Sequence, residues 1–359
     1  MRILHLAKYY WPRSGGMERV VQGLAEGAAN LGHQVEVVAV ETIGRAGNPA
    51  RQRSAVTRAF SLAALGSQEI APGYIAAAWK RADVIHVHHP HPLADLACLL
   101  RAGNTPVVVT QHADSRRAIY RLTTRLVLRR AAAVVVPSRA HLALSTELEG
   151  YESKVEVIPF GIDRTRWEMV PPAPPGGVPR AIFIGRLVAY KGLDILLRAL
   201  ERVPELRLDV VGSGPEGPRL RTLAQALAIA DRVRWYGEYP DEDLPRRMAD
   251  ADFLVLPSVT VEEMFGLVVL EAMAAGRPVI TTALPSAVRE VNVPDVTGLE
   301  VPLRDVEALA EALESLSYDP SRRREMGEAG RKRVAELFSQ ETMAARHIEL
   351  YERVRSSEK

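Results

Sequence analysis

One stretch of sequence decides the fold: Glu263-Met-Phe-Gly-Leu-Val-Val-Leu-Glu271, followed by Ala272-Met-Ala-Ala-Gly276-Arg-Pro278. The apolar run Asp252–Pro257 precedes it and predicts a buried strand, whereas Gly276 and Pro278 are typical of a helix end. We therefore predict a strand, then a loop that contains Glu263, and then a short helix that begins near Gly266 or Leu267.

The start of this helix is a candidate anion site. Its first peptide N–H groups have no intrahelical acceptor and lie at the positive end of the helix dipole, which favours phosphate. Glu263 lies just before this position, and Glu271 lies about one turn inside the helix. These carboxylates would repel a phosphate unless they accept hydrogen bonds from hydroxyl groups of the same ligand, as a nucleotide-sugar would allow. The alternative is an amphipathic core helix with a solvated glutamate at each end.

The surrounding residues favour the first interpretation. Pro257-Ser258 and the pattern E-x-F-G-x-x-x-L-E-A-M-A-x-G-x-P-V-I over Glu263–Ile280 resemble the signature of retaining glycosyltransferases of family 4. The resemblance implies an α/β protein of the GT-B fold, with two Rossmann-like, doubly wound parallel-sheet domains that face a central cleft. It covers essentially the whole chain and is strongest over residues 180–280.

The same resemblance implies a reaction. We expect transfer of a hexosyl group from a UDP- or GDP-sugar to a hydroxyl of a glycan or a polyprenyl-diphosphate-linked acceptor, with retention of anomeric configuration. Synthesis of a cell-surface polysaccharide or glycolipid would use such a step. Two alternatives remain open, namely a GT-B nucleotide-sugar epimerase and a noncatalytic nucleotide-sugar-binding protein.

Length and patterning agree with two domains. The 359 residues are enough for two cores, and apolar strands alternate with amphipathic helices in both halves. Because the run Pro171–Gly177 cannot form regular structure, we predict that it is a linker. We expect an acceptor-binding domain over residues 1–165 and a nucleotide-sugar-binding domain over residues 166–340. The resemblance implies that the helix over residues 341–359 crosses back to the first domain.

Composition narrows the location and the partners. The single cysteine, Cys98, excludes an intrachain disulfide and fits a reducing cytoplasm. No apolar run approaches 18 residues, so we expect neither a signal peptide nor a membrane span. Residues 1–165 carry a net charge of +7 and the remainder −5, which predicts an anionic partner for the first half alone.

A basic stripe sharpens that prediction. In the predicted helix Ser115–Arg130, arginines recur every fourth residue, and apolar residues form another side. We expect this helix to contact an anionic membrane surface at the inner face of the membrane, or a lipid-diphosphate acceptor. Nucleic acid is disfavoured because interleaved aromatics and a reading motif are missing. The arginines are Arg117, Arg121, Arg125 and Arg129, and the apolar residues are Ile119, Leu122, Leu126 and Val127.

Histidines gather near two strand ends. His86, His88, His89 and His91 would suit a metal by number, but prolines interrupt them and no cysteine accompanies them. We favour a histidine-lined acceptor pocket, because ligands bind at the carboxyl ends of strands in open α/β sheets. His112 follows the next predicted strand. By resemblance to the family it lies near the reacting sugar, where it would hold a hydroxyl or the developing charge.

The remaining candidates bind the donor. Arg186 and Lys191 match the family pattern G-R-L-x-x-x-K-G, in which both cations hold the diphosphate, so no metal or other cofactor is expected. By resemblance, Glu263 binds the donor sugar, Glu271 the ribose, and the Tyr236–Pro240 backbone the base. The expected catalytic residues are Glu263, His112, Arg186 and Lys191. The expected nucleotide-sugar-binding residues are Gly15, Gly16, Arg186, Lys191, Glu238, Tyr239, Glu263, Phe265, Gly266, Leu267, Val268 and Glu271.

One loop departs from the family. After Thr282 the family commonly has a glycine pair, whereas this chain has Ala283-Leu284-Pro285-Ser286. In the family, amide groups of that loop often approach the donor sugar, so the departure concerns the sugar site and not the diphosphate site.

Overall fold

A computed structural model describes residues 1–13, 15–41, 53–65, 68–101, 103–115, 118–171 and 177–357. The chain divides into two compact units. Unit 1 comprises Met1–Ile162 with Ser339–Lys359, and unit 2 comprises Asp163–Phe338. Most of the expected linker and Arg117 of the basic stripe lie outside the described residues.

Unit 1 is built on a parallel sheet of seven strands in the order β3-β2-β1-β6-β7-β8-β9, with a separate antiparallel pair, β4-β5. The strands are β1 (Arg2–Leu6), β2 (Gln34–Glu41), β3 (Ala55–Phe60), β4 (Ala63–Leu65), β5 (Gln68–Ile70), β6 (Val84–His89), β7 (Val107–Gln111), β8 (Ala133–Val136) and β9 (Val155–Val157). The helices before residue 162 are α1 (Gly16–Asn30), α2 (Gly73–Ala77), α3 (Pro92–Leu100), α4 (Ala118–Arg130), α5 (Arg139–Leu144) and the 3-10 turn Glu152–Lys154.

Unit 2 repeats the design with six parallel strands in the order β12-β11-β10-β13-β14-β15. The strands are β10 (Arg180–Ile184), β11 (Arg207–Val211), β12 (Val233–Gly237), β13 (Phe253–Leu256), β14 (Val279–Thr282) and β15 (Gly298–Val301). The helices are α6 (Thr165–Glu168), α7 (Leu193–Glu201), α8 (Gly217–Ala226), α9 (Leu244–Ala249), α10 (Leu267–Ala274), α11 (Val288–Val291), α12 (Val306–Tyr318) and α13 (Pro320–Leu337). Three 3-10 turns accompany them, Ala189–Lys191, Ala230–Arg232 and Asp241–Asp243.

The last helix, α14 (Gln340–Ser356), belongs to unit 1. Its N-cap is Ser339, whose side chain accepts a hydrogen bond from the Thr342 N–H. The helix packs closely on α1, because a Cβ at Gly27 would lie 2.6 Å from the Cβ of Ala344. Arg346 also donates to the Val157 carbonyl oxygen at 2.7 Å.

Both sheets confirm the predicted doubly wound parallel architecture. Their strands are near-continuous apolar runs because helices cover both faces, and residues of β6, β7, β10 and β13 are almost fully buried. Strand order reverses direction between β1 and β6 in unit 1 and between β10 and β13 in unit 2. In each sheet, the loops that follow these two strands are where a ligand is expected to bind.

One local prediction is wrong. The sequence predicts a helix from about Glu69 to Arg81, but Gln68–Ile70 is a strand paired with β4, and only Gly73–Ala77 is helical. On the predicted apolar side of α4, Val127 is buried, whereas Leu122 and Leu126 are 66% and 40% exposed.

Candidate active site

The donor-site candidates of unit 2 gather at the carboxyl edge of its sheet. Along this edge, the loop after β12 contains Glu238 and Tyr239, and the loop after β10 contains Arg186 and Lys191. The loop after β13 contains Glu263, and it lies across the point between β10 and β13 where the strand order reverses. Residues far apart in sequence thus share one end of the sheet, as the strand topology requires.

Lys191 and Glu263 are in direct contact. Nζ of Lys191 donates to Oε2 of Glu263 at 2.5 Å, and Oγ of Ser258 donates to the same oxygen at 2.8 Å. Glu263 is 7% exposed, so this is a shielded, charge-assisted interaction. Both hydrogen bonds use Oε2, which leaves Oε1 able to accept a hydrogen bond from a ligand hydroxyl. Ser258 belongs to the family motif that begins at Pro257, but no role was predicted for it from the sequence.

Glycine geometry brings Lys191 to this position. Gly192 has φ +65° and caps the start of α7. A Cβ there would lie 2.1 Å from the carbonyl oxygen of Pro257 at the end of the β13 strand. The backbone after Lys191 can therefore lie against the loop that contains Glu263 only because residue 192 has no side chain.

Arg186 differs from Lys191 in its surroundings. Its side chain is exposed, and it forms no ion pair with any residue in the part of the chain that the structure describes. The guanidinium of Arg186 lies in the same loop as Lys191 and supplies donors suited to a diphosphate.

Helix α10 begins where the sequence predicted. Gly266 is its N-cap in the left-handed region, with φ +71°, and the first helical residue is Leu267. The Phe265 side chain is buried against Phe338, so only its backbone can serve a ligand. The N–H groups of Leu267 and Val268 lie in the first turn, which has no intrahelical acceptors for them. This helix end follows Glu263 directly.

Glu271 lies deeper in α10 and has a partner that the sequence did not reveal. It is 3% exposed, and its Oε1 lies 3.8 Å from Nη2 of Arg166 on α6. The other terminal nitrogen of Arg166 donates to Oδ2 of Asp241 at 2.9 Å and to the Asp241 carbonyl oxygen. Arg166 therefore links Glu271 to the segment that follows β12.

The loops after β11 and β12 meet at the far end of the edge. Oγ of Ser213 donates to Oε1 of Glu238 at 3.0 Å, and the Gly212 N–H donates to the Gly237 carbonyl oxygen at 2.7 Å. The Tyr239 ring lies edge-on to Tyr236. Glu238 is exposed, whereas Tyr239 is half-buried.

The loop that departs from the family pattern packs beside Glu263. The Ala287 N–H donates to the Met264 carbonyl oxygen at 3.1 Å, and Oγ1 of Thr282 donates to the Ser258 carbonyl oxygen at 2.5 Å. Leu284 is 1% exposed. The loop thus supports the segment that carries Ser258 and Glu263.

In unit 1, Gly15 and Gly16 stand at the start of α1. Gly15 is the N-cap in an extended conformation, and Gly16 is exposed. A Cβ at Gly15 would lie 2.1 Å from Oε2 of Glu18, so an acidic group lies beside this helix end. Burial raises the pKa of Glu18, which lessens its charge near a bound anion.

His112 follows β7, as predicted, and is 8% exposed. Its Nε2 lies 3.1 Å from Nδ1 of His88, and its ring stacks on Phe160. Burial, followed by repulsion from His141 and other histidines, lowers the pKa of His112 to about 3. The imidazole is therefore fully neutral at physiological pH, rather than partly neutral as its unperturbed value implied.

The four clustered histidines are internal. His86, His88, His89 and His91 are at most 2% exposed, so an accessible acceptor pocket lined by them is wrong. His86 contacts the Tyr351 hydroxyl at 2.5 Å and Thr110 Oγ1 at 2.7 Å, and His89 lies 2.6 Å from Asp95. Among the described residues, His5, His86 and His88 place ring nitrogens within 4.8 Å of one another, as a metal site would require.

Comparison with known proteins places this geometry in a family. The model for "Glycosyltransferase Family 4" matches residues 14–166, and that for "Glycosyl transferases group 1" matches residues 167–333. O-antigen chain mannosyltransferase C of Escherichia coli is 30% identical over 98% of this chain and 98% of its own length. This chain belongs to the family 4 glycosyltransferases. The resemblance stated from the sequence is thereby confirmed at the level of the family.

Other relatives of this family 4 glycosyltransferase agree. The GDP-mannose-dependent alpha-(1-6)-phosphatidylinositol monomannoside mannosyltransferase of Mycolicibacterium smegmatis is 33% identical over 72% of this chain and 73% of its own. Sucrose-phosphate synthase from Thermosynechococcus elongatus has a TM-score of 0.83 and 25% identity over 99% of both chains. Anabaena HepE in complex with UDP-glucose has a TM-score of 0.77 at 20% identity, covering 98% of this chain and 99% of its own. These structures confirm the GT-B fold.

Proposed function

We propose that this glycosyltransferase moves a hexosyl group from a nucleoside-diphosphate sugar to a hydroxyl of a glycan or lipid-linked acceptor, with retention of configuration. The proposal rests on one observation, the contact of Lys191 with Glu263 just before the start of α10, with the exposed Arg186 in the same loop as Lys191. Cations and unpaired amide groups suit the diphosphate, and a shielded carboxylate with an available oxygen suits sugar hydroxyls.

The difficult step is departure of the nucleoside diphosphate. Arg186, Lys191 and the amide groups at the start of α10 stabilise the charge that develops on the leaving phosphate more strongly than the charge of the bound donor. The acceptor oxygen attacks from the face that the phosphate leaves, and that phosphate accepts the proton of the acceptor hydroxyl. This scheme uses no carboxylate nucleophile, which fits a Glu263 whose Oε2 is engaged by Lys191 and Ser258. It also assigns no role to a metal.

The relatives suggest which donor to test first. A relative from Mycolicibacterium smegmatis is named for its dependence on GDP-mannose, and one from Escherichia coli is named as a mannosyltransferase of the O-antigen chain. HepE of Anabaena is seen with UDP-glucose. We therefore propose a GDP- or UDP-hexose, with GDP-mannose first, and an acceptor from cell-surface polysaccharide or glycolipid synthesis.

We further propose that unit 1 meets an anionic membrane through α4. Arg121, Arg125 and Arg129 are exposed on this helix, and Leu122 and Leu126 are exposed between them. Basic side chains interleaved with exposed leucines are suited to lipid headgroups and the upper acyl region. No helix among the described residues is long and apolar enough to cross a bilayer.

The test is an acceptor-dependent assay. The protein is incubated with GDP-mannose or UDP-glucose, with and without an extract of lipid-linked glycans, and the anomeric configuration of the product is read by NMR. An acceptor-dependent product with the donor's configuration supports the proposal. Turnover of the nucleotide-sugar to an epimer without acceptor would replace it with the epimerase function, and inversion would refute the retaining mechanism.

A further inference from the structure

Three histidine rings form a hydrogen-bonded chain in unit 1. Nδ1 of His5 lies 3.0 Å from Nε2 of His88, and Nδ1 of His88 lies 3.1 Å from Nε2 of His112. His5 and His88 are fully buried, and His112 is 8% exposed. The chain therefore runs from the interior of the sheet to the residue that follows β7.

Strand register produces this chain. β1 and β6 are parallel with His5 opposite His86, and His88 lies two residues further on the same face of β6. His112 is fixed at the other end. Its backbone N–H donates to the His89 carbonyl oxygen at 3.1 Å, and the centre of the Phe160 ring lies 5.1 Å from the centre of its own ring. The three rings are thus held by backbone positions.

All three imidazoles are neutral. Burial, which is the largest cause in each case, lowers the pKa of His5 and of His112 to about 3 and places that of His88 well below its ordinary value. A neutral imidazole has one N–H donor and one nitrogen lone pair. Each hydrogen bond in the chain therefore fixes the tautomer of the next ring, and only two directions are possible.

The buried end of the chain selects the direction. Nε2 of His5 is buried and has no hydrogen-bond partner within the described residues. Buried N–H groups without an acceptor are rarer than buried acceptors without a donor, so this nitrogen carries the lone pair. The Nδ1–H of His5 then donates to His88, and the Nδ1–H of His88 donates to Nε2 of His112. The proton of His112 consequently lies on Nδ1, which makes no hydrogen bond within the described residues.

We propose that His5 and His88 are positioning residues that hold His112 as its Nδ1-protonated tautomer, so that His112 presents an N–H donor to an oxygen of the bound sugar or acceptor. The identity of that ligand rests on the proposed function, whereas the tautomer does not. In this state Nδ1 of His112 cannot accept a proton, so the side chain stabilises a hydroxyl or a developing negative charge and is not a general base.

The tautomer can be measured directly. In the full chain labelled with ¹⁵N-histidine, a long-range ¹H–¹⁵N correlation spectrum at pH 7.5 distinguishes the two neutral forms, and His112→Asn identifies the His112 signals. We expect a protonated Nδ1 and an unprotonated Nε2. A protonated Nε2, or an equal mixture, would overturn the proposal. One tightly bound transition-metal ion per protein molecule at His5, His86 and His88 would also overturn the proposal, because a metal would use the lone pairs that the hydrogen bonds between the histidines require.

Variants test the positioning role. His88→Asn keeps an N–H donor near the position of Nδ1, whereas His88→Leu removes it. We expect kcat to fall about tenfold in His88→Leu and to stay within about threefold of wild type in His88→Asn. His91→Leu, a matched control at a buried histidine whose ring nitrogens make no hydrogen bonds in the described residues, should retain the wild-type kcat. Equal losses in both His88 variants, with melting temperatures unchanged, would contradict the proposal.

A second variant covers the case in which His88→Leu does not fold. His5→Leu removes the end of the chain that sets its direction, and His112 should then show both tautomers. A single unchanged tautomer in His5→Leu would refute the role of His5. If wild type shows the expected tautomer but transfers no sugar, the proposed function fails and the tautomer stands. If wild type transfers sugar but His112 has a protonated Nε2, the tautomer proposal fails and the proposed function stands.

Discussion

Lys191 is held by a buried carboxylate at the place where a diphosphate would bind. Its cation can stabilise a leaving phosphate only if the Glu263 contact keeps it at the sheet edge. We predict that Lys191→Ala lowers kcat by between about tenfold and a hundredfold, the range of a charge-assisted hydrogen bond. Steady-state kinetics with the donor established in the acceptor assay provides the measurement.

The matched control is Lys332→Ala, which removes an exposed lysine of α13 in the same unit. It should leave kcat and the melting temperature at wild-type values. Glu263→Ala should also lower kcat more than tenfold, and the double variant should lose less than the two single losses combined, since the partners act as one unit. Wild-type turnover from Lys191→Ala or from Glu263→Ala would refute the assignment.

At the same scale, the sequence predicted the position of residues that belong to a local pattern. Arg186, Lys191 and Glu263 all lie in loops that directly follow strands, so their shared edge follows from alternating strands and helices. Arg166 could not be found in this way. It lies 75 residues from Asp241 and on a four-residue helix without a motif, and only the packing of α6 on α10 brings it to Glu271.

At the scale of the element, the loop between β10 and α7 depends on Gly192. Gly192→Ala would add a Cβ 2.1 Å from a backbone oxygen at φ +65°. We predict a loss of at least about 3 kcal/mol, which combines left-handed strain with a steric clash that only a backbone shift relieves. Hydrogen exchange of peptides from β10 and β13, measured as a function of urea concentration, would measure the stability of unit 2. Activity should fall as well, because the shift would displace Lys191.

Gly237→Ala, in the same unit, isolates the strain from the clash. Gly237 has φ +70°, and a Cβ there would meet nothing within 4 Å. The cost should be about 1 kcal/mol, from the left-handed backbone alone. If the two variants lose equal stability, close packing of the β10–α7 loop on Pro257 is not what fixes this loop.

Helix α4 carries the membrane proposal. Replacing Arg121, Arg125 and Arg129 with glutamine should weaken binding to phosphatidylglycerol vesicles by at least about a hundredfold, because each basic residue near an anionic surface contributes about 1 kcal/mol. Vesicle co-sedimentation measures the affinity. The control replaces three exposed arginines of unit 2, namely Arg207, Arg304 and Arg324, and removes the same charge. Equal losses of vesicle affinity in both triple variants would contradict a specific docking helix. Binding of the wild-type protein to neutral phosphatidylcholine vesicles with the same affinity would also contradict it.

The incorrect helix prediction has a physical cause. The residues from Glu69 to Arg81 are rich in alanine and have helical spacing, but Gln68–Ile70 pairs with Ala63–Leu65, and only the hydrogen bonds of that pair reveal the strand. A helical pattern also shows which residues share a face but not which of them pack on the protein. On the apolar side of α4, only the structure separates the buried Val127 from the exposed Leu122 and Leu126.

At the scale of the whole molecule, the histidines are distributed unevenly. The chain has nine, and all of them lie in unit 1, while residues 163–338 contain none. The sequence showed this count but not its consequence, since burial depends on strand register and on the return of α14. In the structure, burial is the largest cause of a lowered pKa in eight of them: His5, His33, His86, His88, His91, His112, His141 and His347.

This distribution predicts that acid unfolds unit 1 before unit 2. Below pH 6.5 these histidines bind protons in the unfolded state but remain unprotonated in the folded state. The free energy of unfolding of unit 1 therefore falls with decreasing pH, by about 1.4 kcal/mol per histidine per pH unit. His89 acts in the opposite sense, because Asp95 outweighs burial and raises its pKa, but it is one histidine against eight.

Hydrogen exchange at pH 7.5, 6.5 and 5.5, corrected for the intrinsic rate, resolves the two units within one chain. Peptides from β6 and β7 should lose protection as the pH falls, while those from β10 and β13 keep it. Because the histidines must be exposed before they can be protonated, the loss should be cooperative across unit 1 and should include α14, whose His347 and Tyr351 pack on His86. Parallel loss of protection in both units would show that carboxylates common to both, and not the buried histidines, set the acid limit.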